Sequence, residues 1–424
     1  MWTRPTAFAV CLVLACITVT HAGETLTLDA AIARVVAQHP DLQVYEFAQA
    51  GLAANADRAA LAAPLVAGLL LENAPGTGEL SGVRGAELTL SLASVLERGG
   101  KREARRALAA SRIDALGVRR AATQLDLLAE VAQRYLDLVA AQADTVIAAE
   151  DLAQRERTVT AATTRVRAGA SPESVQLAAE AMRARAELDA ARADASVAAA
   201  WRRLQSLWGA PVPEPVPDTA AEPLRVPAVP DYDALRLLLE RNPELRKFAD
   251  EGRIREARLR LAATAATPDI DWQIGLRRLE SQDAWALVAG GSVELGSRRR
   301  AEPEIRAARA ELDALAFERE SGERRLDSLL AEAHGQYSAA RIEVERTAAD
   351  VLPRLVRAET AAERAYRAGA LSYLDWAQLQ KETTAARRQQ LVAAVAAHRA
   401  LIEIQRLTGE PLVIAASTDK DTSP

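Results

Sequence analysis

Two short stretches of the chain alternate apolar and polar residues with a period of two. In residues 86–94, Leu88, Leu90 and Leu92 fall on one side of an extended chain, and Glu87, Thr89 and Ser91 on the other. In residues 269–278, Ile270, Trp272, Ile274 and Leu276 oppose Asp271, Gln273, Gly275 and Arg277. This pattern predicts strands with one apolar and one polar face. Their expected partners, 65–72 and 284–293, are more uniformly apolar. The turn-rich segments NAPGTGELSGVRG and RLESQD join the pairs, which gives strand pairs at 65–94 and 269–293.

The remainder reads as helix. Between Lys101 and Ala168 there is no proline and a single glycine, Gly117. That run corresponds to about 100 Å of helix, against a usual length of ~10–14 residues. Leu128, Val131, Tyr135, Leu138, Ala141 and Thr145 are spaced by three and four, as are Leu326, Leu330, Ala333, Tyr337, Ala340, Val344, Thr347 and Val351. Both sets predict coiled-coil seams, with a kink at Pro353. Each long run meets Arg-Ala-Gly-Ala, at 167–170 and 367–370. Gly169 and Gly369 suit the left-handed residue that ends a helix. Ser171 and Ser372 are expected to cap return helices at 172–208 and 372–408, with Pro172 in a first turn. The helical hairpins therefore span 101–208 and 304–408. Shorter helices are expected at 28–38, 41–63, 231–241 and 244–263, with breaks at the His39-Pro40 and Asn242-Pro243 steps. The 41–63 helix is expected to cover the part of the long helix that the return helix does not reach.

The chain is written twice. His39-Pro40-Asp41-Leu42 matches Asn242-Pro243-Glu244-Leu245. Arg112-Ile113-Asp114-Ala115-Leu116 matches Glu311-Leu312-Asp313-Ala314-Leu315, and Leu207-Trp208-Gly209-Ala210-Pro211 matches Leu407-Thr408-Gly409-Glu410-Pro411. With the two Arg-Ala-Gly-Ala turns, four markers recur at an offset near 200, as expected of a duplication. The repeats are 23–208 and 231–408. A proline-rich linker at 209–230 separates them, and a tail follows at 409–424.

Composition adds the compartment. Residues 1–22 carry Arg4, an apolar stretch and Thr20-His21-Ala22, the pattern of a secretory signal peptide cleaved after Ala22. Val13-Leu14-Ala15-Cys16 also fits a lipoprotein signal that would acylate Cys16. Both cysteines, Cys11 and Cys16, lie in this segment, so the mature chain needs no disulfide. The net charge of −5, with both signs interspersed, argues against a nucleic-acid partner. The four histidines have no metal-ligand spacing, and neither a phosphate loop nor a nucleophile motif occurs. No catalytic residue, cofactor or metal site is expected.

Four strands cannot close a membrane barrel, which needs at least eight in one chain. An open sheet cannot sit in lipid, because its edges leave backbone groups unpaired. Pooling strands among three copies resolves this: four strands per chain form a 12-strand barrel. The same three copies arrange their hairpins as a ring. The predicted fold is mainly α with a small β part: long antiparallel hairpins forming an α-barrel, with a trimeric outer-membrane β-barrel at one end.

The tandem repeat, the HPDL and NPEL steps, the two RAGA turns and the LWGAPV and LTGEPL helix ends together resemble the TolC-like outer-membrane efflux protein family, over nearly the whole mature chain. LENAPGTG at 71–78 and LERGGKREAR at 96–105 resemble its heavy-metal branch, the cobalt–zinc–cadmium resistance type. The resemblance implies a homotrimeric channel in outer-membrane lipid, reaching into the periplasm. It implies docking on a periplasmic adaptor and an inner-membrane pump of the RND type. A multidrug or type I secretion channel is the alternative within the fold. A periplasmic coiled-coil adaptor or structural rod is the alternative outside it.

The resemblance also implies a gate at the hairpin turns. An aromatic three residues before the turn glycine and an acid six after it match Tyr366 and Asp375. The family's arginine two residues after the glycine is Leu371 here, and its second acid is Gln378. The first repeat has Val166 and Val175 at the matching places, with Glu173 the nearest acid. Arg167, Arg367 and Glu173 are therefore further gate candidates. Tyr366 equally fits a seam residue, and Asp375 equally fits a helix cap. Trp272 and Trp285 fit either a membrane interface or packing between strands.

Overall fold

The computed structural model describes residues 26–209 and 222–412. The predicted leader at 1–22, with Cys16 and the cleavage site, lies outside the described residues. So do 210–221 of the linker and 413–424 of the tail.

In the first repeat, α1 (Leu28–Gln38) starts at Thr27, whose side chain accepts from the Ala30 amide. It stops before Pro40. There His39 caps α2 (Pro40–Ala60), its Nδ1 accepting from the Asp41 amide at 3.3 Å. Strands β1 (Val66–Glu72) and β2 (Glu87–Leu96) follow. Then come α3 (Lys101–Arg167) and its return, α4 (Glu173–Gln205). The second repeat opens with α5 (Tyr232–Leu238), extended by a 3-10 turn to Arg241. Asn242 Oδ1 accepts from the Glu244 amide at 2.7 Å and caps α6 (Pro243–Thr264). The HP and NP steps thus do the same work: a capping side chain, then a proline where no amide is needed. After β3 (Ile270–Leu279) and β4 (Ala284–Val293) come α7 (Ser297–Arg346), α8 (Leu352–Arg367) and α9 (Tyr373–Thr408).

Three local expectations are corrected. The second outgoing helix begins at Ser297, not at 304, so Pro303 lies inside α7. What starts the helix is Gly296 at φ +87°, as Gly100 at φ +74° starts α3. Only glycine takes that conformation freely. The disturbance expected at Pro353 takes the form of a π turn over Thr347–Val351, just before it. A proline lacks the amide that would continue the ladder, and a π turn absorbs the mismatch. Pro172 occupies the N-cap of α4 rather than its first turn, and Ser171 does not cap. Ser372 caps α9 as expected, its hydroxyl accepting from the Asp375 amide at 3.3 Å.

The two strand pairs merge into one antiparallel sheet in the order β1-β2-β3-β4, with β2 of the first repeat paired to β3 of the second. α3 is about 100 Å long. α4 lies along its hairpin end, where Arg134 Nη1 donates to the Arg203 carbonyl at 2.6 Å. α2 lies along the end near the strands, where the Tyr45 hydroxyl meets the Arg119 carbonyl at 3.2 Å and Thr123 Oγ1 at 2.7 Å. This division of α3 between two shorter helices is the expected one. The repeats meet along α3. Near the strands, Leu108 and Ala115 pack on Ile254 and Ala257 of α6. Further along, α9 runs antiparallel to α3, with Arg406–Asp126 at 2.9 Å, Arg399–Asp137 at 2.6 Å, Arg388–Asp144 at 3.2 Å and Arg387–Glu150 in sequence. Such partly exposed pairs each add at most about 1 kcal/mol; together they fix the register of the two helices.

Between these ends, apolar cores form where α1 and the end of α4 pack on α3, and where α5 and the end of α9 pack on α7. His398 is 1% exposed there, with Nε2 3.0 Å from the Pro223 carbonyl. A carbonyl only accepts, so Nε2 carries the proton, and α9 holds the linker at this point. Burial pushes the imidazole pKa down, keeping it neutral.

Candidate functional site

The sheet has two chemically distinct faces. Cross-strand register places Leu69, Leu90, Leu276 and Leu287 in one row, Ala67, Leu92, Ile274 and Ala289 in the next, and Leu71, Leu88, Arg278 and Trp285 at the far end. Side chains directly opposite in an antiparallel pair share a face, so these rows form one apolar surface. It is open: Leu69 is 70% and Leu287 71% exposed. Trp272 and Trp285 lie on this face near its two ends, about 20 Å apart along the strands. Arg278 on the same face turns to the hairpin end, pairing with Glu280 and Asp283 beneath the Trp285 ring. This is where an aromatic belt and a snorkelling cation would sit.

The opposite face carries Glu87, Thr89, Ser91, Asp271, Gln273, Gly275 and Arg277. Arg277 pairs with Glu87 at 2.9 Å and Glu72 at 3.3 Å, and donates to Thr89 Oγ1 at 3.0 Å. Both outer strands, β1 and β4, have one free edge.

At the other extreme of the molecule lie the two hairpin turns. Each closes with the same pair of backbone bonds: Ala170 to the Arg165 carbonyl and Gly169 to Val166, then Ala370 to Ala365 and Gly369 to Tyr366. Gly169 sits at φ +70° and Gly369 at φ +82°, completing the glycine-ended motif that satisfies the last helical carbonyls.

Of the expected gate residues, Tyr366 is buried at 2% exposure. It packs with Tyr373, Trp376, Ala162, Ala179 and Ala362 between the hairpins, which is the seam placement. Its ring lies 5.1 Å from Trp376 and 6.4 Å from Tyr373. The Tyr366 and Tyr373 hydroxyls and the Trp376 indole nitrogen are buried without a hydrogen-bond partner. Burial pushes the Tyr373 phenol pKa up. Asp375 is exposed in the first turn of α9, where its carboxylate accepts from the Ser372 hydroxyl at 2.7 Å, the capping placement. Arg367 is exposed and pairs with Glu363 at 2.5 Å. Arg167 and Glu173 are exposed beside the first turn. Leu371 packs into the Tyr366 cluster, and Gln378 bonds Glu382 at 2.8 Å.

Sequence reasoning missed Arg165. From the last turn of α3, its Nη1 donates to the Tyr366 carbonyl at 2.8 Å, Nε to Ser171 Oγ at 3.2 Å and Nη2 to the Ala170 carbonyl at 3.2 Å. The guanidinium lies over the Tyr366 ring, 5.1 Å from its centroid. Also missed was a buried polar seam deeper between α3 and α9. Arg155, paired with Asp151 at 3.1 Å, donates to Gln380 Oε1 at 2.9 Å; Gln380 donates to Thr158 at 3.0 Å, and Thr384 to Asp151 at 3.0 Å. One among many charged residues on a long helix carries no sequence signal that it is the buried one.

Among the described residues, no helix is long and apolar enough to cross a membrane, and no group of three acidic, histidine or cysteine side chains is placed to hold a metal.

Residues 31–210 match the outer membrane efflux protein family. The chain is 26% identical, over 314 residues, to the cobalt-zinc-cadmium resistance protein CzcC of Cupriavidus metallidurans, covering 74% of this chain and 75% of that one. Among solved structures, CusC, a protein that forms a transmembrane channel, superposes with a TM-score of 0.75 at 17% identity, covering 91% of this chain and 92% of its own. The outer membrane protein VceC of Vibrio cholerae gives 0.71 at 17% identity, over 91% and 97%. The open MtrE outer membrane channel of Neisseria gonorrhoeae gives 0.69 at 20%, over 91% and 89%. These likenesses establish the fold of the chain across both repeats.

Proposed function

We propose that this chain is an outer-membrane efflux protein, that three copies close into one channel fed by an inner-membrane pump through a periplasmic adaptor, and that the cargo is heavy-metal cations. The observation that carries the closure is the four-stranded sheet with one open apolar face and two free edges. In hydrocarbon, each unpaired backbone group costs several kcal/mol. Every neighbour in the sheet is antiparallel, so β1 and β4 also run in opposite senses. β4 of one copy can therefore pair with β1 of the next in the same sense as every other pair. Three copies give twelve strands, the apolar rows facing lipid and the Arg277–Glu87 face lining the pore.

The helices support the same closure. α4 buries Ala179, Ala186 and Ala193 against its own chain, yet Leu177, Ala181, Ala184, Leu188, Ala191 and Ala195 form an exposed stripe at spacings of three and four. A seam of small and apolar residues left open is what a neighbouring copy would cover.

Heavy-metal cargo follows from similarity to CzcC, named for cobalt, zinc and cadmium resistance. The conduit needs no ligand set of its own if the pump selects the ion. Mass measurement in detergent, together with planar-bilayer conductance, tests the channel. A trimer with discrete conductance steps is expected, and a soluble monomer recovered without detergent would overturn it in favour of a periplasmic rod. Loss of tolerance to cobalt, zinc or cadmium on deletion tests the cargo. Loss of drug tolerance or of a secreted polypeptide instead would reassign it.

A further inference from the structure

We propose that the arginines around the strand–helix junctions form a collar that binds anionic phospholipid in the leaflet on the helical side of the membrane. The proposal rests on the outer-membrane reading above and adds a partner to it, the phosphate groups of that leaflet.

The apolar surface runs past the ends of the strands. Leu96, Ile270 and Val293 form the last row of the sheet before the helices. Leu96 is 55% exposed, and Leu295, two residues beyond Val293, is 87% exposed. Leu61 and Leu65, just before β1, are exposed as well. Trp272 lies on the apolar face at this end, between Ser94 and Gly291. Alternation carries Leu96 and then Arg98 onto the apolar side of the first repeat, and Leu295 onto that of the second.

Cations begin immediately beyond. Arg98, Arg102 and Arg106 follow β2, and Arg298 and Arg299 follow β4; all are exposed. Among the described residues, none of these side chains has a hydrogen bond or an ion pair. The acids of the same zone are engaged elsewhere: Asp269 with Lys101 at 2.8 Å, Glu97 with Arg105 at 2.5 Å, and Glu294 with Arg300. Glu103 stays open beside them, so the zone keeps a surplus of unpaired positive charge. Arg98 stands about 7 Å beyond Leu96 along an extended chain, and the headgroup layer on each side of a bilayer is about 5–8 Å deep.

Helix chemistry alone does not call for these arginines. α7 opens with Ser297-Arg298-Arg299-Arg300 and has no acidic residue in its first turn. The positive end of a helix disfavours cations, so Arg298 and Arg299 weaken the helix start unless an anion lies near. A guanidinium grips phosphate with two parallel hydrogen bonds. A soluble anion would leave the exposed leucines unexplained. A phospholipid accounts for both, its acyl chains against Leu96, Val293 and Leu295 and its phosphate among the arginines.

The test reads lipid preference, using the full-length protein reconstituted in phosphatidylcholine bilayers that contain brominated phosphatidylglycerol. Bromine quenches tryptophan fluorescence on contact. A Trp285→Phe parent leaves Trp272 as the exposed tryptophan among the described residues. In that parent, Arg98→Gln/Arg298→Gln/Arg299→Gln is compared with Arg98→Lys/Arg298→Lys/Arg299→Lys. The control is Arg157→Gln/Arg185→Gln/Arg202→Gln, which removes three exposed arginines of the helical body. Preference for phosphatidylglycerol over phosphatidylcholine is expected to fall about fivefold per arginine, hence about a hundredfold in the glutamine triple at the collar. The lysine triple should keep most of it, the control should match the parent, and salt at about 1 M should weaken the parent's preference. The single glutamine variants keep the measurement available if the triple fails to insert. Equal preference in the collar triple and the parent, a loss shared by the control, or a parent without preference would overturn the collar and leave the channel standing. A parent that enters neither bilayer overturns the outer-membrane reading, and the collar with it.

Discussion

Ile274→Arg places a charge at the middle of the apolar face. Ile274 lies near the centre of the ten-residue β3, in a row with Ala67, Leu92 and Ala289. A strand of that length rises about 33 Å, or about 25 Å along the normal when tilted by ~40°. In the proposed barrel its centre falls near the bilayer midplane, where an arginine facing lipid costs about 2–4 kcal/mol. The proposed trimer carries three copies, so its barrel should lose about 6–12 kcal/mol. Gln273→Arg puts the same charge one residue away on the opposite face, where it would meet water beside Asp271 and Ser91. It should leave assembly within about 1 kcal/mol of wild type and alter ion selectivity instead. The assay is the yield of folded trimer in the outer-membrane fraction, read by unheated gel electrophoresis, with urea midpoints of the purified proteins. If Ile274→Arg inserts as well as wild type, or Gln273→Arg fails as badly, the assignment of faces is wrong.

Removing Arg155 alone should destabilise the chain by about 3–5 kcal/mol, because it leaves the Asp151 carboxylate buried and unpaired; an Asp151→Leu/Arg155→Met double variant should lose less, as urea unfolding would reveal. Gly369→Ala forces a side chain into φ +82° and should lower stability by about 1–2 kcal/mol, measured by thermal melting. His398 has a folded pKa below its unfolded value of ~6.5, so the unfolded chain binds the extra proton first. Stability should then be full above pH ~6.5 and fall as the pH drops from there toward the folded pKa, while His398→Gln, which keeps a donor for Pro223, should flatten that part of the urea-midpoint profile.

Much of this molecule is written locally. The period-two leucines, the HP and NP steps and the two Arg-Ala-Gly-Ala turns each specify their element through short-range chemistry, and the strands, helix breaks and turns lie where those residues predict. The start of α7 is set by Gly296, whose left-handed backbone opens the helix ahead of Pro303. The candidate site was less legible. Tyr366 and Asp375 are at the hairpin turn, but a buried ring and a capping carboxylate are set by neighbours that a single helix does not display. Arg165 and Arg155 act across the boundary between repeats, on residues about 200 and 225 positions away. Periodicity orients a side chain on its own helix and says nothing about which carbonyl or amide awaits it across that boundary.

The pairing of β2 with β3 has a consequence for biogenesis. Leu90 and Leu276 are direct neighbours in the sheet, yet the ribosome makes them more than a hundred and eighty residues apart. A nascent chain threading outward amino end first displays a naked hairpin, greasy on one side and hungry for a partner along its rim, long before its mate arrives. Until then that rim is a template for mispairing, and the slow, sequence-distant closure prolongs the exposure. Export and assembly of this polypeptide are thus a race between completion of its own second half and capture by another molecule's first.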